Sequence, residues 1–75
     1  MNIKDMKVGA CGRVTGYSGS DREYRHKLLR MGLIRGAEFE VVRRAPMGDP
    51  VEIELRGFKL TLRKTESEAL EVELL

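Results

Sequence analysis

The 75-residue sequence is poor in the residues that mark several protein classes. A single cysteine cannot form an internal disulfide, which fits a reducing cytoplasm. One cysteine and one histidine cannot complete a Cys/His zinc site of the finger type within one chain. No apolar run approaches the roughly 20 residues that span a bilayer, and the charged N-terminus, Met-Asn-Ile-Lys-Asp-Met-Lys, lacks the apolar segment of a signal peptide. We therefore expect a cytoplasmic protein that does not itself span the membrane.

The sequence also lacks a surplus of charge of either sign. Lys and Arg number 14 and Asp and Glu number 12, so the net charge is +2. Because nucleic-acid binding depends on clustered surplus positive charge, this balance makes a nucleic-acid binder the least favoured function class. The length is that of one small domain, and we expect residues 1–75 to form a single domain with a thin core.

Signatures of catalysis are absent from the sequence as well. It contains no Gly-x-Ser-x-Gly nucleophile elbow and no phosphate-binding loop ending in Gly-Lys-Ser/Thr. A barrel of this size is also expected to lack a substrate pocket of the usual volume, about 300 Å³ or more. We therefore expect that the protein is not an enzyme.

What the sequence does contain is a set of short segments with strand-like alternation. Strands are predicted at about residues 11–17, 37–42, 51–56, 58–63 and 70–74. A two-residue loop, Arg56-Gly57, would set Leu55 opposite Phe58 and gather the apolar residues of both flanking strands on one face. A three-residue loop would mix the faces, so we predict the two-residue loop. Arg is not a favoured first residue in such a turn, which leaves the turn type open.

One helix is predicted between the first two strands. Ser20 and Glu23 match a capping box, and Tyr24, Leu28 and Met31 follow with helical spacing. We predict a helix near residues 21–31 that ends at Gly32 in a left-handed conformation. Five short strands with one apolar face bury it best by curling into a barrel. The predicted fold is a mostly β, small SH3-like barrel with a helical insertion after the first strand.

Several polar residues are candidate metal ligands. His26 and Cys11 could bind a transition metal, within one molecule or across a dimer. A lone His on a basic helix is more often solvated, however, and a lone Cys in a strand is more often a small buried residue. The last candidates are carboxylates near the C-terminus, for which we expect a solvated face: Glu66, Glu68, Glu71 and Glu73.

Two motifs in register resemble the FeoA family. The first is Leu29-x-x-Gly32-Leu33-x-x-Gly36, and the second is the turn Ala45-Pro46-Met47-Gly48-Asp49-Pro50, followed by Leu62-Arg63-x-x-Glu66. Proteins of this family are small cytoplasmic components of bacterial ferrous iron transport, and the resemblance covers about residues 6–74. It implies an SH3-like barrel that acts with FeoB, the membrane permease with a cytoplasmic G-protein domain. It implies no set of metal ligands, so the metal-binding residues stay unknown.

The leading hypothesis is a cytoplasmic module that regulates FeoB by protein contact, at the inner membrane when FeoB is bound. The expected contact surface is the end of the helix and the connector that follows it: Arg25, Arg30, Met31, Gly32, Leu33, Ile34 and Gly36. A second candidate surface is the turn motif: Ala45, Pro46, Gly48, Asp49 and Pro50. The alternative is a domain that binds or senses Fe(II) or another divalent transition metal. Edge strands could pair between molecules, which leaves a homo-oligomer open.

Overall fold

The computed structural model describes residues 1–18, 22–47 and 49–75. The predicted capping residue Ser20, its neighbour Asp21, and Gly48 of the turn motif lie outside the described residues. Within them, a 3-10 helix (Ile3–Asp5) precedes five strands and two α-helices. In chain order these are β1 (Cys11–Tyr17), α1 (Arg22–Arg30), β2 (Glu38–Arg44), β3 (Val51–Leu55), β4 (Phe58–Leu62), α2 (Lys64–Glu68) and β5 (Leu70–Leu74).

The five strands form one antiparallel sheet in the order β4-β3-β2-β1-β5. The predicted mostly β fold with a helix after the first strand is confirmed. The short polar segment between β4 and β5 forms α2, which links the two outermost strands of the sheet. No helix among the described residues combines the length and the hydropathy that crossing a membrane requires.

The β3–β4 hairpin has the predicted register. Leu55 is paired with Phe58, Ile53 with Leu60, and Glu54 with Lys59. Arg56 and Gly57 have φ angles of 52° and 88°. Positive φ at both loop residues is what a type I′ turn requires, and this turn matches the twist of the strands that it joins.

The protein has one hydrophobic core. Its buried apolar side chains come from every described strand, from α1, from the connector between α1 and β2, and from the N-terminal segment: Ile3, Met6, Val14, Leu28, Leu33, Ala37, Phe39, Val41, Val51, Ile53, Leu55, Leu62, Leu70 and Val72. Among the apolar residues that precede β1, Val8 is 58% exposed and is not part of the core. Ile3 and Met6 are the core residues of this segment. The guanidinium of Arg44 fixes the 3-10 helix by donating hydrogen bonds to the carbonyl oxygens of Lys4 (2.7 Å) and Ile3 (2.9 Å).

Gly12 lets strand β1 pass close to the core. A Cβ atom at this position would lie 2.8 Å from Cζ of Phe39 and 2.9 Å from Cε of Met6. Those distances are shorter than any ordinary carbon–carbon contact, so only glycine fits without displacing both side chains. The pairing of β1 with β5 also has an irregularity between Val14 and Gly16.

Candidate functional site

Helix α1 is fixed to the rest of the fold by polar contacts with α2. Nζ of Lys27 lies 2.5 Å from Oε2 of Glu66, and the hydroxyl of Tyr24 lies 3.1 Å from Oγ1 of Thr65. On its inner side, Leu28 is fully buried. These contacts hold α1 in one orientation, with its remaining charged side chains facing solvent.

Glu66 is a buried carboxylate with both oxygens paired. Its Oε1 accepts a hydrogen bond from the backbone N–H of Arg63 (2.9 Å), and its Oε2 faces Lys27. Burial by itself raises the pKa of this carboxyl, but the hydrogen bonds and positive charges of Lys27 and Arg63 outweigh it, so the pKa is lowered. The expectation that Glu66 belongs to a solvated acidic face is wrong, since the residue is 5% exposed.

The connector after α1 is held by Tyr17. The phenol hydroxyl donates a hydrogen bond of 2.7 Å to the carbonyl oxygen of Leu33. The guanidinium carbon of Arg25 lies 5.9 Å from the centre of the Tyr17 ring, within the range of a cation–π contact. Burial raises the pKa of this phenol, although the positive charges of Arg35 and Arg25 oppose the shift. Tyr17 therefore stays protonated near neutral pH and can donate to the connector.

The exposed side of α1 is a basic surface next to apolar residues. An open depression of about 560 Å³, larger than the volume expected for so small a fold, is lined by Glu23, His26, Lys27, Arg30 and Met31. Gly32 follows with a φ of 93°, which confirms the left-handed end predicted for the helix. We call the exposed and half-exposed residues here the helix surface: Arg25, His26, Lys27, Arg30, Met31, Gly32 and Phe58.

Phe58 belongs to this surface although the alternation of its strand placed it on the apolar face. A Cβ atom at Gly32 would lie 3.9 Å from Cζ of Phe58, so the ring lies beside the end of α1. The side chain is 49% exposed because it directly follows the turn at one end of the outermost strand. Its place directly after the Arg56-Gly57 turn is visible in the sequence, whereas the edge position of its strand is visible only in the structure. Leu29, another exposed apolar residue, is 39% exposed.

The predicted contact residues do not all lie on the surface. Leu33 is fully buried, so its expected place in the contact surface is wrong: its side chain belongs to the hydrophobic core, together with those of Leu28 and Ala37. Ile34 is 42% exposed. Gly36 is exposed, and its φ of 87° confirms a conformation that favours glycine.

The turn motif lies at the other end of the β2–β3 pair. Ala45 is half-buried, and its backbone N–H donates to the carbonyl oxygen of Pro50 (3.1 Å), which closes the turn. Pro46, Asp49 and Pro50 are exposed, and Met47 is 92% exposed. The turn precedes Val51, whereas Gly32 packs near Leu55, so strand β3 separates the two candidate surfaces.

The candidate metal ligands are dispersed. His26 lies exposed on α1, and Cys11 is exposed at the start of β1, which corrects the expectation of a small buried cysteine. Glu71 and Glu73 are exposed on β5, as predicted, whereas Glu68 lies 3.9 Å from Lys4. Among the described residues, no group of three or more His, Cys, Asp or Glu side chains is placed to hold a metal ion.

One family model matches nearly the whole chain. Residues 1–74 match the FeoA domain family. A curated relative is the Fe(2+) transport protein A/Fe(2+) transporter FeoB fusion protein of Porphyromonas gingivalis, which is 35% identical over all 75 residues of the chain. The chain spans 9% of the length of that relative.

Solved structures share the fold. An FeoA-like protein from Clostridium acetobutylicum has a TM-score of 0.89 and 35% identity, with 100% of this chain and 86% of that chain covered. A zinc complex of Stenotrophomonas maltophilia FeoA, described as a procaryotic SH3 domain protein, has a TM-score of 0.82 and 18% identity, with 97% and 89% covered. The SH3-like fold predicted from the sequence is confirmed.

Proposed function

The chain belongs to the FeoA domain family, which is linked to ferrous iron transport, and from this premise we propose that it is a non-catalytic accessory protein of the FeoB permease. It binds FeoB on the cytoplasmic side and modulates Fe(II) uptake. The observation that carries this proposal is the fusion of the two proteins in Porphyromonas gingivalis. A fused domain meets its neighbour at high effective concentration, so fusion favours pairs of domains that work in contact.

The same observation supports one direction for the effect. A domain that is covalently joined to a transporter is present at every transport event and cannot be removed by dilution. Such a permanent arrangement suits a component that uptake requires better than an inhibitor that has to leave. We infer that loss of the chain lowers Fe(II) uptake.

The helix surface is the proposed site of contact. It combines the exposed cations Arg25, Lys27 and Arg30 with the apolar side chains of Met31 and Phe58. Apolar residues surrounded by charged ones, with Arg and aromatic residues among them, are typical of the centre of a protein interface. The contacts of α1 with α2 and with Tyr17 hold these side chains in place before a partner binds.

Two matched double variants test the surface by calorimetric titration with the cytoplasmic domain of FeoB. Arg30→Glu with Met31→Glu changes the helix surface, and Arg43→Glu with Met47→Glu makes the same changes elsewhere. Arg43 is exposed on β2, and Met47 is exposed in the turn motif. We expect the first variant to bind at least about tenfold more weakly than the native chain and the second to bind normally.

Circular dichroism has to show native folding of both variants before their affinities are compared. Loss of binding by the second variant alone would move the contact to the turn motif, since Met47 lies there. If the native chain itself does not bind the FeoB domain, the proposed function is wrong.

A further inference from the structure

The outermost strand β4 has a free edge. In a hairpin with a two-residue loop, the residues that flank the loop exchange both backbone hydrogen bonds, as do alternate pairs beyond them. Leu55 and Phe58 are such a pair, followed by Ile53 with Leu60. The backbone N–H and C=O groups of Lys59 and Thr61 therefore point away from β3. No described residue supplies them with a hydrogen bond, and the sheet has no strand beyond β4 in the described part of the chain.

The opposite edge of the sheet is covered. The backbone N–H of Val72 in β5 donates to the carbonyl oxygen of Met1 (2.9 Å). Nδ2 of Asn2 donates to the carbonyl oxygens of Leu70 (3.0 Å) and Glu68 (2.9 Å). The N-terminal segment thus occupies the outer side of β5 and leaves β4 as the open edge.

Helix α1 runs alongside β4 in the opposite direction. Tyr24, near the start of the helix, and Lys27, in its last turn, contact Thr65 and Glu66, which follow the C-terminal end of β4. Gly32, just after the helix, lies beside Phe58 at the N-terminal end of the strand. The helix surface therefore lies near both ends of the open edge.

The side chains around this edge indicate what would pair with it. On the outward face of the strand, Lys59 is exposed, and Arg63 is exposed just beyond the strand end. Lys59 lies opposite Glu54 in the register of the hairpin. The carboxylate of Glu66 already contacts Nζ of Lys27 and the backbone N–H of Arg63. On the inner face, Phe58 is exposed and Leu60 is half-buried.

A strand added to β4 would alternate between these two environments, since successive side chains point to opposite faces. Residues on its outward face would lie beside Lys59, where a carboxylate is favoured. Residues on its inner face would lie beside Phe58 and Leu60, where an apolar side chain is favoured.

We propose that the edge of β4 binds an extended peptide of alternating acidic and apolar residues, which adds to the sheet through the backbone groups of Lys59 and Thr61. The peptide-binding site itself does not depend on which protein supplies the peptide. We assign the peptide to FeoB, and this assignment alone rests on the proposed function. The edge gives the affinity through backbone hydrogen bonds, and the cations of α1 together with Lys59 and Arg63 select acidic sequences.

A second copy of the chain is a poorer occupant. Two β4 edges paired with each other would bring the cations Lys59 and Arg63 of both copies onto one strip, and like charges on facing strands destabilise the pair. Strand β5 has the required alternation, Leu-Glu-Val-Glu-Leu, but it is engaged by β1 on one side and by Met1 and Asn2 on the other. The peptide is therefore expected to come from another protein.

The probe is a blocked heptapeptide of alternating glutamate and valine, titrated into the ¹⁵N-labelled chain. We expect amide exchange with solvent at Lys59 and Thr61 to slow by about tenfold or more on binding, because these N–H groups become paired. A peptide with lysine in place of glutamate is the matched control and should not bind. Shifts that spare Lys59 and Thr61, or no binding at about millimolar peptide, would overturn the proposal.

Two variants separate backbone pairing from side-chain effects. Thr61→Pro removes the outward N–H at an edge position where proline is tolerated, and Thr61→Ala keeps it. We expect about tenfold weaker peptide binding for the first and little change for the second. Equal binding by both would contradict strand addition, as would self-association of the native chain with the same shifts at β4.

A readout on the peptide side does not depend on the folding of any variant. Methylating the backbone nitrogens of the valines alone, or of the glutamates alone, blocks only one edge of the added strand. One of these two peptides should bind and the other should not, and equal binding would overturn the proposal.

If the peptide binds as described but the FeoB domain does not bind the chain, the proposed function fails and the site stands. If the FeoB domain binds native and Thr61→Pro chains equally, the assignment of the peptide to FeoB is wrong.

Discussion

Nζ of Lys27 lies 2.5 Å from Oε2 of Glu66, joining an exposed lysine to a carboxylate whose side chain is 7% exposed. The pair fixes α1, the inserted helix, to α2, the short helix between the two outermost strands. The helix surface proposed for FeoB binding is therefore held in position by a contact between two segments that are distant in sequence.

Removal of the Glu66 carboxylate should destabilise the fold. Glu66→Ala takes away the partner of Lys27 and leaves the backbone N–H of Arg63 without its acceptor. We expect the free energy of unfolding in urea to fall by about 2 kcal/mol, the range for a hydrogen bond to a charged group at a buried site. Glu68→Ala is the control: its ion pair with Lys4 is 3.9 Å long and exposed, and its loss should cost about 0.5 kcal/mol or less.

The same carboxylate should give the stability a dependence on acid pH. The pKa of Glu66 is lower in the folded protein than its ordinary value near 4.5. A lowered pKa means that the folded state favours the charged form, so this contribution is full above the ordinary value and is lost as the pH falls through the folded value. The stability difference between the native chain and Glu66→Gln should therefore be largest near pH 7 and should shrink below about pH 4.5. A difference that is constant with pH would contradict this role.

Gly12 should tolerate no side chain without cost. The Cβ atom of Gly12→Ala would meet Cζ of Phe39 and Cε of Met6 at less than 3 Å, so both core side chains must move. Overpacking of this kind costs about 1–3 kcal/mol. Gly16→Ala on the same strand meets only the flexible Oε2 of Glu71, at 3.2 Å, and should cost less. Thermal unfolding of the two variants measures the difference, and equal losses would show that the crowding at Gly12 has no effect.

Local patterning explains which parts of the fold were predictable. The β3–β4 register followed from the alternation of apolar residues, because a shift by one residue would have turned Leu60 outward. The left-handed Gly32 followed from its place at the end of the helical stripe. Both features depend on neighbours within a few positions of the chain.

The features that were missed depend on long-range packing. The burial of Glu66 requires Lys27, which lies on the inserted helix, and the exposure of Cys11 depends on which face of β1 turns away from the core. The connector 33–36 has no periodicity from which the inward side of Leu33 could be recognised. In the candidate site, the basic residues of α1 and Met31 were predictable from the sequence. Phe58 could be assigned to this site only from the structure, which places its ring beside Gly32.

The two apolar residues of the connector should differ strongly in how much a charge destabilises the fold. Leu33→Glu puts a carboxylate into the core and should lower the free energy of unfolding by about 3–5 kcal/mol. For a small domain, a loss of this size is enough to leave most of the molecules unfolded. Ile34→Glu changes a residue that is 42% exposed and should cost about 0.5 kcal/mol. Urea unfolding followed by circular dichroism distinguishes them. Native stability of Leu33→Glu would show that this side chain is not in the core.

The most direct test of the proposed function is the rate of Fe(II) uptake in cells from which the chain has been deleted. We predict that uptake falls, that a copy of the native chain restores it, and that the variant with Arg43→Glu and Met47→Glu restores it equally. The variant with Arg30→Glu and Met31→Glu, present in folded form at the same level, should not restore it. Uptake that is unchanged by the deletion, or restored fully by all three chains, would contradict a role for the helix surface in ferrous iron transport.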